Sequence, residues 1–406
     1  MVEPRIHAWR RLDEARARAD AVACDAEAAA GTFRGPLHGL PVGLKDIYFT
    51  EGLETEAGSP LHSEFIPTRD AAAVSRLRRA GAIVLGKTET TQFAMGDFAP
   101  TCNPWDLART PGGSSSGSAA AVAARMVPLA LGTQTSGSVL RPASFCGIVG
   151  FKPTFGRFSA EGIFPLAWTL DHPGTLTRSV ADARLLFGIL DERAQPVRRR
   201  KPSGAPLLGL LRGRFIDRAD SDALANLDQT ASRLVAGGAR ITEVRLPDDF
   251  DLAVDVHHII MASEAAAYHA ADHRAQPEAY RPLLRALIET GALVPASVYL
   301  HAQRLRQELR AGAATLLDRL DCLVMPSALG VAPQGLASTG NPIFNAPWSL
   351  FGMPSISIPA GLSVDGLPYG LQFVGELGDD LGVLDAAEWS ERILQPLAMP
   401  LAVPSS

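Results

Sequence analysis

The chain has 406 residues, a formal net charge of −5 and 47% hydrophobic residues, enough apolar material for a large core. This balance gives no reason to invoke nucleic acid or a membrane. The densest basic run, Arg198-Arg199-Arg200-Lys201, is short and flanked by Pro196, Pro202 and Gly204, and no apolar stretch reaches membrane-spanning length.

In chain order, Asp13 to Ala30 is rich in Ala, Arg, Asp and Glu and predicts a helix, and Leu40 to Phe49 predicts a buried strand. Asp70 to Ala80 has helical spacing, with Val74 and Leu77 on one face, and Ala82 to Leu85 follows as a short strand. Gly117 to Ala124 predicts a helix and Met126 to Leu131 a strand. Ser179 to Leu190 predicts a helix capped by Ser179, with Asp182 three residues on. Leu207 to Leu211, Ser221 to Val235 and Arg240 to Arg245 form a βαβ pattern. A long helix from Pro295 to Leu317 precedes the strand Asp321 to Met325. The strands Ser355 to Pro359 and Tyr369 to Val374 are joined by the turn residues Ser363-Val364-Asp365-Gly366, and Asp380 to Ile393 closes as a helix. Strands alternating with helices predict an α/β fold, a mixed central sheet covered on both faces. Arg193 to Pro206 is the clearest interruption but does not mark a domain boundary, so 1–406 is read as one domain.

Cys24, Cys102, Cys146 and Cys322 are far apart with no CxxC, and the N-terminus has no apolar signal core; reduced thiols and a cytoplasmic location are expected. Only four of the 38 Lys and Arg residues are Lys. Lysine, unlike arginine, can lose its proton when buried. Lys45 (GLPVGLKD), Lys87 (GAIVLGKT) and Lys152 (GFKPTFG) sit in Gly-flanked apolar surroundings, which makes each a candidate neutral amine. Gly81 to Thr88 fits the phosphate-loop pattern GxxxxGK[ST], but its middle residues are the apolar strand itself and a helix precedes it, so nucleotide binding is rejected. His257, His258, His269 and His273 share a segment without an HExxH pattern, and no metal is expected.

Two clumps, Gly112 to Ser116 and Gly132 to Ser138, flank the predicted helix and strand, and Pro142 ends the second polar loop. A ten-residue helix advances about 15 Å and a six-residue strand returns about 20 Å, so the clumps should meet in one site. Small turn residues can aim several backbone N–H groups at one point, as an anion nest or an oxyanion hole. Gly113 to Gly117 matches Gly-x-Ser-x-Gly, but polar loop rather than strand precedes it. No His lies near either clump, which leaves a serine activated by a desolvated lysine.

With PGGSSSGSAAA and GTQTSGSVLRPASFCGIVGFKPTFGR placed beside GLPVGLKD, the chain resembles the amidase signature family, most strongly over residues 35–190. LASTGNPIFNAPWSLFGMPSISIP and GLPYGLQFVG are similar to the family's C-terminal blocks. The resemblance implies a Ser–cisSer–Lys triad: Ser138 as nucleophile, Ser114 as proton relay after a cis Gly113–Ser114 bond, and Lys45 as base. It further implies an oxyanion hole from the N–H groups of Thr135, Ser136, Gly137 and Ser138, with Lys87 and Lys152 structural. The implied activity is hydrolysis of a linear carboxamide through an acyl-enzyme, with no cofactor, in a homodimer whose partner is a small-molecule amide.

The GTQT, SSSGS and late-Arg combination is similar to malonamidase-type members. Gln134 and Arg141 are therefore expected at the substrate, Arg141 either on a substrate carboxylate or in an ion pair within the chain. Trp168, Asp171-His172 and Asn345 to Trp348 are candidate pocket walls. Family members generally carry further helices before the region matching Ile6-His7-Ala8-Trp9, so a shorter N-terminus is expected. An ammonia-receiving amidotransferase A-type subunit and a non-enzymatic anion-binding module are the alternatives.

Overall fold

A computed structural model describes residues 2–192, 204–395, 397 and 400. Arg198-Arg199-Arg200-Lys201 and most of the 193–206 connection lie outside the described residues.

Eleven strands form one mixed sheet flanked by helices. In chain order they are β1 (Trp9–Leu12), β2 (Pro41–Lys45), β3 (Ile83–Thr88), β4 (Leu129–Gln134), β5 (Val149–Lys152), β6 (His172–Thr177), β7 (Leu207–Arg212), β8 (Arg240–Arg245), β9 (Cys322–Pro326), β10 (Ser355–Leu362) and β11 (Pro368–Val374). Across the sheet the order is β1-β3-β2-β4-β6-β5-β10-β11-β9-β7-β8. β3, β2 and β4 run parallel, as do β9, β7 and β8; the strands between pair antiparallel. The parallel β2–β4 pair brings both strand ends, at Lys45 and Gln134, out together.

The βαβ reading holds: β7 and β8 pair in parallel from Leu207↔Arg240 to Arg212↔Arg245 around the helix Ser221–Ala236. Ser179 caps the helix Val180–Leu190, its hydroxyl accepting from Asp182 N at 3.1 Å. The β10–β11 hairpin closes through Ser363 to Gly366, with Gly366 N donating to Ser363 O at 2.9 Å.

Three of the boundary differences bear on the site. β2 ends at Lys45 because the N–H groups of Ile47 and Tyr48 both turn back to Lys45 O. β3 extends to Thr88, which places Lys87 and Thr88 inside a buried strand; no loop is left there to wrap phosphate. β4 begins three residues late. Arg125 adopts φ 58 and Pro128 has no N–H for a ladder, so pairing starts at Leu129 and runs to Gln134.

The helix Ser116–Ala123 is buried on every side, consistent with its Ala-rich sequence. Its tight seat explains Gly117: a Cβ there would lie 2.1 Å from Ala8 O and 2.4 Å from Glu89 N.

Candidate active site

The two hydroxyl clumps meet. Ser115 Oγ donates to Thr133 O at 3.3 Å and accepts from Thr133 N at 3.3 Å, tying the start of the Ala-rich helix to the end of β4. Ser118 Oγ adds a bond to Leu131 O at 2.9 Å. Lys45, the last residue of neighbouring β2, reaches into this junction. Its Nζ lies 2.7 Å from Ser114 Oγ and donates to Thr133 Oγ1 at 2.9 Å.

The Gly113–Ser114 bond is cis. Each carbonyl around it is held by a side chain. Ser116 Oγ donates to Gly112 O at 2.7 Å, Arg141 Nη2 to Gly113 O at 2.7 Å, and Thr90 Oγ1 to Ser114 O at 3.1 Å.

Burial pushes the Lys45 amine down to about 7, with the Asp171 charge acting the other way, so the neutral amine is well populated near neutral pH. Burial likewise lowers Lys87 and Lys152. Partners separate the three. Lys87 is bound to Tyr48 O and Thr55 Oγ1 and paired to Asp46 at 3.5 Å, and Lys152 donates to Pro153 O and Met353 O. Only Lys45 of the three contacts a serine hydroxyl.

Ser138 follows β4 and precedes the helix Leu140–Cys146. Among the described residues its hydroxyl has no hydrogen-bond partner, and the residue keeps 7% exposure in an otherwise closed region. The loop before it is braced from outside. His257 Nε2 donates to Thr135 O at 3.0 Å and Ser349 Oγ to Ser136 O at 2.8 Å. In a trans peptide the N–H points opposite to its carbonyl. The amides of Ser136 and Gly137 are thereby turned away from the two helices that carry His257 and Ser349. The N–H groups of Thr135, Ser136, Gly137 and Ser138 donate to no other group among the described residues. Consecutive free amides of this kind can offer donors to a developing oxyanion. A Cβ at Gly137 would lie 2.5 Å from Asn345 Oδ1, so a larger residue there would have to displace that side chain.

Gln134, expected at the substrate, is a brace instead. Its Oε1 accepts from Val139 N and Leu140 N and its Nε2 donates to Ser349 Oγ, so the side chain is spent on the loop. Arg141 is 3% exposed. Nη2 also donates to Thr339 Oγ1 at 3.1 Å, while Nε and Nη1 are buried without partners. Among the described residues no carboxylate pairs with Arg141, and burial lowers its pKa.

A cavity of about 210 Å³ opens beside Thr133, walled by Ile47, Ala94, Phe164 and Ile163, with Trp168 and Asp171 also lining it. Of the other candidate walls, His172 turns to Gln134 O and Leu170 O, Asn345 to Ser327 O and Gln372, and Trp348 is fully buried in the core. Of the histidines, His257 serves the loop and His269 bonds Tyr280. Cys24, Glu27 and His38 do approach one another within 4.8 Å, but Arg34 engages the Glu27 carboxylate and donates to His38 Nδ1. Thr133, His257, Ser349 and Thr339 were missed from sequence. Thr133 alone carried a signal, being inside the second clump; the others reach the site from distant helices and loops.

The chain matches the Amidase family model over residues 1–384. It is 35% identical to the A-type subunit of a glutamyl-tRNA(Gln) amidotransferase from Myxococcus xanthus, over 96% of this chain and 90% of the relative. It is 38% identical to an amidase of Pseudomonas putida, over 90% and 84%. Among solved structures, a peptide amidase from Stenotrophomonas maltophilia superposes with a TM-score of 0.84 at 29% identity, covering 98% of this chain and 91% of that one. The chain belongs to the amidase signature family, enzymes that act on C–N bonds.

Proposed function

We propose that this protein hydrolyses a small linear carboxamide through an acyl-enzyme on Ser138. The observation that carries the reading is the buried Lys45 Nζ at 2.7 Å from Ser114 Oγ, beside a loop whose amides from Thr135 to Ser138 are unpaired among the described residues. Ser138 Oγ attacks the amide carbon while its proton passes to Ser114 and the Ser114 proton passes to Lys45. The amides of Ser136, Gly137 and Ser138 receive the oxyanion. The proton returns through Ser114 to the leaving nitrogen, the C–N bond breaks and ammonia or an amine departs. Water then repeats the sequence against the ester and frees Ser138.

Arg141 points to a substrate that also bears a carboxylate, a malonamate being the simplest case. A guanidinium stays charged, and two of its nitrogens here lack partners, so an incoming carboxylate would satisfy both charge and hydrogen bonds. An ammonia-release panel over malonamate and neutral aliphatic amides tests both parts. Ser138→Ala should lose at least about 10⁴-fold in turnover. Arg141→Met should lose roughly 10- to 100-fold in kcat/KM on malonamate relative to a neutral amide of the same size. Equal loss on both substrates would make Arg141 a brace for Gly113 alone.

A second reading is favoured by the amidotransferase relatives: glutamine hydrolysis within an amidotransferase assembly. Turnover of simple amides by the isolated chain, with glutamine a poor substrate, separates the two.

A further inference from the structure

Asp171 lines the cavity, and both oxygens of its carboxylate accept hydrogen bonds. Oδ1 accepts from Thr135 Oγ1 at 2.5 Å, and Oδ2 accepts from Leu166 N at 2.9 Å and Ala167 N at 3.0 Å. Thr135 opens the loop that ends in Ser138. One carboxylate therefore clamps the side chain of Thr135 to the cavity wall, while His257 holds the carbonyl of the same residue from its own helix. Lys45 and Asp171 also act on each other electrostatically. Burial raises the Asp171 carboxyl, while its hydrogen bonds from Thr135, Leu166 and Ala167 and the charge of Lys45 favour the ionised form.

We infer that Asp171 is a positioning residue for this site: it fastens the oxyanion loop through Thr135 and supplies a negative charge that acts on Lys45. The inference rests on the proposed Lys45–Ser114–Ser138 chemistry. The remaining ionisable groups around the segment are accounted for. His172 and His257 are both pushed down by burial, His257 to about 4, and stay neutral where Lys45 titrates. Glu264 and Arg306 are engaged with Thr169. An anion favours the ammonium form of Lys45, so removing it lowers the amine's pKa.

The experiment measures kcat and KM between pH 5 and 9 for the wild type, Asp171→Asn, Thr135→Val and Ser138→Ala on one turned-over amide. Asp171→Asn should move the acid limb of kcat/KM to lower pH by roughly one unit and lower plateau kcat about tenfold or more, with KM little changed. Thr135→Val keeps the charge and loses the clamp, so its plateau should fall while the limb stays. An Asp171→Asn limb and plateau both at wild-type values overturn the inference, as does a change confined to KM. If Asp171→Asn does not fold, an unreduced Thr135→Val plateau overturns it. Ser138→Ala separates the two levels: its loss of turnover beside an unaltered Asp171→Asn rejects the Asp171 role alone, whereas surviving turnover rejects the triad as well.

Discussion

Lys45, Lys87 and Lys152 are equally buried, at 0% exposure each, and burial lowers all three amines. Desolvation therefore does not distinguish them; the proposed mechanism assigns the base to Lys45 on the 2.7 Å approach of its Nζ to Ser114. With the Lys45 pKa near 7, kcat/KM should rise as pH increases through about 7, because the protonated amine cannot accept from Ser114. A stopped pH series on one amide checks this, and a rate that falls over pH 6 to 8 would contradict it. The scarcity of lysine and the hydroxyl clumps made the three candidate amines and both serines legible in sequence. The roles of Gln134 and Arg141 were not. What decides them is whether a partner lies within reach: Gln134 meets two loop amides and Ser349, whereas Arg141 meets no carboxylate.

At the scale of elements, the helix–strand return that joins the clumps was legible from lengths alone. Its register was not, because Pro128 and the left-handed Arg125 delay β4 by three residues. That delay matters, since it turns Thr133 from a turn residue into a strand residue bonded to Lys45. The helix Leu140–Cys146 was hidden by Pro142, which read as the end of a loop but occupies the first turn of a helix, where no N–H is needed. The helix Ser116–Ala123 carries the clearest packing prediction. Gly117→Ala forces a methyl onto Ala8 O and Glu89 N; the expected cost is about 1–3 kcal/mol, read as a lower urea midpoint. A midpoint equal to wild type would show that the backbone yields freely there.

Across the whole molecule, the α/β class was legible from alternating segments, but the strand order was not. Pairings such as β5 with β10 join residues some two hundred positions apart, and local pattern carries no trace of them. That pairing seats Lys152 against Met353 O in the centre of the sheet. Its native pKa of about 7 lies below the 10.5 of an exposed lysine, so above pH 7 the unfolded chain binds more protons than the native one. Stability should accordingly rise from pH 7 towards 9, with Lys45 and Lys87 contributing in the same direction. Urea midpoints across that range check it; Lys152→Met should show a shallower rise, and an unchanged slope would contradict the assignment. No single described helix is long and apolar enough to cross a membrane.

The central claim, a Lys45-dependent nucleophile at Ser138, is tested most directly by covalent capture. The protein is treated with a fluorophosphonate or sulfonyl fluoride, digested and mapped by mass spectrometry, beside Lys45→Ala and Ser138→Ala. The account predicts one adduct on the Ser138 peptide, strongly slowed in Lys45→Ala and absent in Ser138→Ala. An adduct on another residue, or Ser138 labelled at full rate without Lys45, would contradict it.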